Sequence, residues 1–362
     1  MHENDNPGRI GVFGGTFDPV HIGHLIFADA AREQAGLSNV LFMPANIQPF
    51  KQDDLVAPDD RIRMLRLATA GNPYFGVTTV ETDKGGVSYT IDSLRELDAE
   101  FPGRGICFII GVDMFLNLWK WKEADTLIRE FDFAVGARPG YDLQAAEEAA
   151  EDLRKTHGAR IDIVKNPLME FSSTEIRRRL ASGESIRYHV PESVRRFLLV
   201  REKVGEKRFG HTKRVIDLAV EMAKRFDEDE EKAALAALLH DYCKDPVGGV
   251  ENDIHHGEMA AEAVRRDFDI RDEDVLNAIR YHTTGRAGMS RLERIIFLAD
   301  TVEPGRTYNS IARLRETCLD DLEQGTYTVL VELKEYLEQK GLIVSRDTEE
   351  AIEELANGAG KG

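Results

Sequence analysis

The segment GGTFDPVHIGH, residues 14–24, holds the densest chemistry in the chain. Gly14 and Gly15 permit a turn tight enough for backbone N–H groups to approach a phosphate. A helix is expected to begin near Ile22, with its positive N-terminal end aimed at the same place. His21 and His24 then share the first helical turn. Two imidazoles there can donate hydrogen bonds to phosphate oxygens, and the glycine between them lets the backbone pass close to a nucleotide. An isolated HxxH is more often a pair of surface histidines; GGTFDP directly upstream is what points this one at phosphate. Further along, FSSTEIR places Ser172, Ser173 and Thr174 at a helix start, where hydroxyls cap and bind anions. Arg177, one turn on, can fork onto phosphate oxygens. Lys51 ends a Pro-containing loop and offers a cationic point contact. NLWKWKEAD holds two indoles, Trp119 and Trp121, either of which could stack on a planar ring or pack in a core.

A second constellation lies in the other half. His211 opens a helix, His240 and Asp241 end the apolar helix AALAALLHD, and Asp300 lies in the apolar FLAD. A carboxylate on an apolar helix face is costly unless paired or metal-bound. His256 in IHHG and His282 in IRYHTTGR fit a second metal, with His255 an ambiguous extra. Imidazole plus carboxylate suits iron, manganese or zinc more than magnesium alone. The single basic residues Lys244, Arg286 and Arg306 are candidate polyphosphate contacts, with ordinary surface charge as the plain alternative.

The elements that must carry these residues differ between the halves. Runs beginning at Arg9, Asn39, Tyr74, Ile106 and Phe131 read as strands. Amphipathic stretches over Ile22–Gln34, Asp59–Ala70 and Tyr89–Phe101 read as helices. This alternation predicts a doubly wound parallel α/β sheet, with its ligand at the carboxyl ends of the strands. From Lys207 onward the strand signal ends and long helical patterns follow, so the second half is expected to be all-α. The polar run VREKVGEKR marks the join, giving domains 8–203 and 204–357. The acidic cluster Asp227–Glu231 is expected to complement a helix N-terminus, and the tail ANGAGKG to be disordered.

Composition narrows the partners. The 362 residues carry 65 acidic and 47 basic side chains, a net charge of −18, which argues against a nucleic-acid or anionic-membrane binder but not against a small phosphorylated ligand. No apolar run reaches the length of a membrane span, and the opening MHENDNPGR carries no secretory core. Cys107, Cys243 and Cys318 are read as reduced thiols of a cytoplasmic protein, the first two simply buried. The sequence leaves a homo-oligomer open.

GGTFDPVHIGH resembles the signature of the HxGH nucleotidyltransferase superfamily. KGGVSYT, IIGVD, ARPG, FSSTEIRRRL and YHVPESV, in order between about Arg9 and Val200, resemble bacterial nicotinate mononucleotide adenylyltransferase. That resemblance implies transfer of AMP from ATP, with Mg²⁺, to nicotinate mononucleotide. It implies phosphate handling by His21, His24, Lys51 and Arg177. It implies nucleotide contacts at Gly14, Gly15, Thr16, Phe17, Gly111, Asp113 (at the ribose), Arg138, Ser172, Ser173 and Thr174. Trp121 would stack on the nicotinate ring, and the backbone N–H of Thr90 would meet its carboxylate. The family usually has His before the loop lysine, where this chain has Phe50. A transferase preferring nicotinamide mononucleotide is the alternative. RFGHT, LLHDYCK, IHHGEMAAE, AIRYHTTGR and IFLADTVEPGR resemble the HD-domain hydrolases that split diadenosine tetraphosphate into two ADP. That resemblance implies His211, His240, Asp300 and a bridging Asp241 on one metal, with His256 and His282 on the other. A non-catalytic, nucleotide-sensing module is the alternative for this half.

Overall fold

The structure is a computed structural model and describes residues 8–46, 55–138, 140–141, 143–167, 169–244, 250–308 and 310–358, with backbone alone at 250–255 and 358. The chain divides into two compact units, Met1–Arg195 and Arg196–Gly362.

In the first unit strands and helices alternate: β1 (Arg9–Gly15), α1 (Ile22–Gln34), β2 (Leu37–Pro44), α2 (Pro58–Thr69), β3 (Phe75–Val77), α3 (Val80–Lys84), α4 (Thr90–Glu100), β4 (Ile106–Gly111), α5 (Val112–Phe115), α6 (Ala124–Glu130), β5 (Asp132–Gly136), α7 (Leu143–His157), β6 (Ile161–Val164) and α8 (Ser173–Ala181). The six strands form one parallel sheet in the order β3-β2-β1-β4-β5-β6. Strands covered on both faces must be apolar throughout, and Val12, Phe42, Ile109, Phe133 and Val135 are indeed buried. The order reverses direction at β1 and β4, so their carboxyl ends, Gly14–Gly15 and Gly111, border the crevice where such sheets bind ligands.

The strand expected from Tyr74 ends at Val77, because Thr78 to Val80 turn the chain into α3, which buries Glu81 against the Ser93 hydroxyl at 3.1 Å. The sixth strand, IDIV, escaped the sequence reading: it is four residues long, and only its outer two are buried. Apart from these, the expected α/β order is the one found.

The second unit is helical. α9 (Glu192–Arg225) begins in the first unit and is interrupted at Gly205, whose φ of 76° is non-helical. Then come α10 (Glu230–Leu239), α11 (Val250–Phe268), α12 (Glu273–Arg280), α13 (Arg291–Val302), α14 (Ile311–Asp320), α15 (Leu322–Gln339) and α16 (Arg346–Gly358). The join expected at 203/204 falls inside α9, one residue before that interruption. Asp229 caps α10, accepting from the N–H groups of Glu231 and Lys232, which is the dipole role expected of the acidic cluster. Of the tail expected to be disordered, Ala356 to Gly358 belong to α16, and residues 359–362 lie outside the described residues. No helix among the described residues is long and apolar enough to cross a membrane.

Candidate functional site

β1 delivers the chain to a turn in which Phe17 takes a left-handed φ of 52°. Its buried ring packs edge-on against His24 at 5.0 Å and under Gly15, where a Cβ would come within 2.9 Å of it. Phe17 can therefore reach a ligand only through its backbone. His21 is the N-cap of α1 and forms a reciprocal capping box with His24. The His24 N–H donates to His21 Nδ1 at 3.3 Å, and the His21 N–H donates to His24 Nδ1 at 3.2 Å. The rings stack 3.6 Å apart. A side chain at Gly23 would press on the His21 ring at 3.1 Å, so glycine between the histidines is needed for this stack.

The cap decides the tautomers. Each Nδ1 accepts a backbone proton, so each neutral ring carries its own proton on Nε2. Burial, reinforced by the nearby Arg138 charge, pushes the His21 imidazole down to about 4. Burial, then His21 and Arg138, holds His24 well below its ordinary range. At neutral pH the pair thus offers two uncharged Nε2–H donors. The N-terminal amides of α1 are less open than the sequence suggests, since the Ile22 N–H donates to the His189 carbonyl at 2.9 Å.

Positive charge comes from neighbouring elements. Arg138, after β5, pairs with Asp113, the second residue of α5. Gly111 leaves room for that carboxylate, which a Cβ would approach to 2.6 Å. Arg177 donates to the Asp18 carbonyl at 2.6 Å, and the Ser173 hydroxyl to the Pro19 carbonyl at 2.9 Å, so α8 is fastened to the turn preceding His21. Of the three hydroxyls expected to bind anions, Ser172 is used as the N-cap, accepting from Glu175 N–H at 3.1 Å, and Ser173 as that fastening. Thr174 is exposed. Thr90 opens α4, a helix whose N-cap makes no side-chain hydrogen bond. Trp121 packs edge-on to Phe108 at 6.0 Å, and Phe108 in turn lies against Gly14, whereas Trp119 is exposed beside His157. Lys51 and Phe50 lie outside the described residues.

Arg61 was not singled out from the sequence. It is 1% exposed and donates to the carbonyls of Thr16 at 2.8 Å, Ala45 at 2.7 Å and Val56 at 3.1 Å. From α2 it ties the turn after β1 to the chain leaving β2. A lone arginine in an amphipathic helix carries no sequence signal for this.

In the second unit six predicted groups converge from five helices or their ends. Asp241 Oδ2 faces His240 at 3.4 Å and His211 at 3.9 Å, while Oδ1 faces His256 at 3.1 Å and His282 at 3.7 Å. His211 Nε2 lies 2.9 Å from Asp300 Oδ1, and the Nε2 atoms of His256 and His282 lie 2.9 Å apart. His240 Nδ1 faces the Ala237 carbonyl and His282 Nδ1 the Ile279 carbonyl, each at 2.7 Å, which turns both Nε2 lone pairs inward. Two sets, His211–His240–Asp300 and His240–Asp241–His282, have ligand atoms within 4.8 Å of one another. Among the described residues, His211 Nε2, His240 Nε2 and Asp241 Oδ1 are buried without an aligned hydrogen-bond partner. Buried imidazole and carboxylate atoms that converge without aligned partners fit a cation.

Electrostatics agree with that fit. Burial opposes charge on Asp241 and Asp300, yet the neighbouring His240 on the first and His211 on the second outweigh it and hold both carboxyls well below their usual range. Burial likewise opposes charge on His240, but Asp241 raises its affinity for a proton, whereas burial leaves His282 lowered. Arg208, also missed in the sequence, donates to Asp241 Oδ2 at 2.9 Å. Arg286 is not free for phosphate: it is held by buried Glu293 at 2.7 and 2.6 Å. Arg306 lies 3.1 Å from Asp300, and Lys244 4.0 Å from Asp241. The side chain of His255 lies outside the described residues. Cys107 is buried as expected, but Cys243 is only half-buried.

Residues 12–179 match the Cytidylyltransferase-like family, and residues 208–305 match the HD domain. Over 197 residues the chain is 42% identical to "Probable nicotinate-nucleotide adenylyltransferase" of Moorella thermoacetica, spanning 54% of this chain and 91% of that protein. A protein of the same description from Exiguobacterium sibiricum is 41% identical over 190 residues, spanning 52% of this chain and 95% of its own. The chain belongs to the nicotinate-nucleotide adenylyltransferase family. An HD domain follows the adenylyltransferase-family half. Among solved structures, a "predicted HD superfamily hydrolase involved in NAD metabolism" from Clostridium acetobutylicum is 32% identical, with a TM-score of 0.43, covering 45% of this chain and 96% of that one.

Proposed function

We propose that the adenylyltransferase-family half, assigned to 8–203, transfers AMP from ATP to nicotinate mononucleotide, giving deamido-NAD and pyrophosphate. The observation that carries this is the histidine capping box, two neutral Nε2–H donors at the switch point of the sheet. A mononucleotide phosphate oxygen attacks the α-phosphorus of ATP as the bond to the β-phosphate oxygen breaks, and pyrophosphate leaves. Fixed donors that meet charge as it develops suit this reaction, and it asks for no covalent bond to the protein. His21 and His24 donate from Nε2; Arg138, Arg177 and Lys51 supply positive charge. Mg²⁺ bound to the triphosphate neutralises part of its charge. Asp113 is assigned to ribose, with Gly14, Gly15, Thr16, Phe17 and Gly111 at the nucleotide and the start of α8 beside it. Trp121 takes the pyridine ring and the Thr90 N–H its carboxylate. Pyrophosphate release from ATP with nicotinate or nicotinamide mononucleotide tests the reading. A kcat/KM at least ~10²-fold higher for nicotinate is expected, and equal values would overturn the preference.

We further infer that the HD half, assigned to 204–357, is a metal phosphohydrolase that cleaves diadenosine tetraphosphate into two ADP in the cytoplasm. His211, His240 and Asp300 would hold one ion and His256 and His282 the other, with Asp241 shared through its two oxygens. Iron, manganese or zinc suits this donor set. Such ions, when bound, supply Lewis acidity to phosphate oxygens and acidify water. Arg208, Lys244 and Arg306 keep positive charge beside the two carboxylates. Product analysis decides: two ADP supports the reading, ATP plus AMP overturns the symmetric cleavage, and binding without cleavage makes this half a sensing module.

A further inference from the structure

The imidazoles around the second constellation are not held alike. His240 and His282 each direct Nδ1 to the carbonyl three residues earlier in their own segment. His211 instead directs Nδ1 to a carboxylate 92 residues away, Glu303 Oε1, at 3.2 Å.

Glu303 lies just past α13 and is 2% exposed, and a carboxylate so buried persists only where donors surround it. They do. Arg214 Nε donates to Oε2 at 2.6 Å and its terminal nitrogen to Oε1 at 3.3 Å, and the Gly305 N–H donates to Oε2. The backbone is held as well, since Arg315 donates to the carbonyls of Val302 at 2.7 Å and Glu303 at 3.0 Å. Gly305 is part of the clamp: a Cβ there would stand 2.5 Å from Arg214 Nε. The EPG turn thus presents one carboxylate oxygen, in fixed position, to His211.

We propose that Glu303 is a positioning residue that fixes His211 through Nδ1 and so presents Nε2 to a cation beside Asp300. The role presupposes the metal-centre reading proposed above. A proton held on Nδ1 by a carboxylate leaves the Nε2 lone pair free, and a carboxylate partner makes the ring a stronger ligand than a carbonyl partner does. Glu303 itself is not a catalytic residue.

The test is Mn²⁺ binding to the full-length protein, with free Mn²⁺ followed by electron paramagnetic resonance. Glu303→Ala is expected to weaken one Mn²⁺ by ~10–100-fold. Glu303→Gln, whose amide oxygen still accepts from Nδ1–H, is expected to recover part of that loss. The helical circular-dichroism signal should be unchanged in both variants, which reports that the helical half is folded. The deciding arm is the double variant. If Glu303 works through His211, adding Glu303→Ala to His211→Ala costs no further affinity. An equal cost in both backgrounds, or wild-type affinity in Glu303→Ala, overturns the proposal. Wild-type protein that binds Mn²⁺ with this Glu303 dependence but cleaves no dinucleoside polyphosphate supports the positioning role while sinking the hydrolase reading.

Discussion

The His21–His24 box is held together by backbone-to-ring hydrogen bonds, and that geometry sets which ring nitrogen carries the proton. His24→Ala removes one Nε2–H donor and is expected to lower kcat of adenylyl transfer by ~10²–10³ with the fold intact. A variant within about threefold of wild type would refute the assignment. The depressed His21 pKa also has a stability consequence. With the folded value near 4 and the unfolded value near 6.5, the unfolded chain binds the extra proton between those pH values. Stability is therefore full above pH 6.5 and falls as pH drops toward 4, by an upper figure of about 3 kcal/mol. His21→Asn, which can still cap α1, should flatten that decline. Both tryptophans lie in the first unit, so indole fluorescence during unfolding reads it directly. Parallel pH profiles for the two proteins would exclude His21 as the source.

At the level of elements, close approach matters more than any one side chain. α11 crosses the end of α12 at Gly257, where a Cβ would meet the Arg280 carbonyl at 2.5 Å and the Ile279 carbonyl at 3.0 Å. The second of these is the carbonyl that orients His282, and His256 is the residue before Gly257. Gly257→Ala is expected to force α11 away from α12 and separate His256 from His282. The overpacking costs ~1–3 kcal/mol, and hydrolysis should fall at least tenfold, a drop of roughly 1.4 kcal/mol in transition-state stabilisation. Wild-type hydrolysis rates in this variant would show that the crossing does not set the site. Arg61 illustrates the same point in the α/β unit, where one buried guanidinium joins α2 to two loops through their carbonyls.

For the whole molecule, the two candidate sites lie in separate compact units. Asp241→Ala should abolish diadenosine tetraphosphate hydrolysis, since both candidate ion sites lose their shared carboxylate, and leave adenylyl transfer at the wild-type rate. Loss of both activities in a folded variant would contradict that separation. The acidic total charge does not conflict with polyanionic substrates, because a small phosphorylated ligand needs only local donors, and Arg138, Arg177 and the two histidine Nε2–H groups are candidates for them.

The sequence by itself determined the class of each half, since strand–helix alternation and long helical periods are local properties of the chain. It also singled out His21 and His24, which are close in sequence and sit on one helical turn, and the six His and Asp residues of the second half, whose burial in apolar segments is costly without a purpose. It could not show that Ser172 and Ser173 are used for capping and fastening, that Arg286 is held by Glu293, or that Arg61 meets the turn after β1, Arg208 meets Asp241 and Glu303 meets His211. Those roles depend on partners tens of residues away in most cases and on which atoms face them, and only packing decides that. The clamp on His211 was likewise settled by tertiary structure, because its partner Glu303 is 92 residues away, whereas the tautomers of His21 and His24 and the inward turn of His240 and His282 rest on partners three residues away, and the proton on an imidazole goes where its hydrogen-bond partners place it.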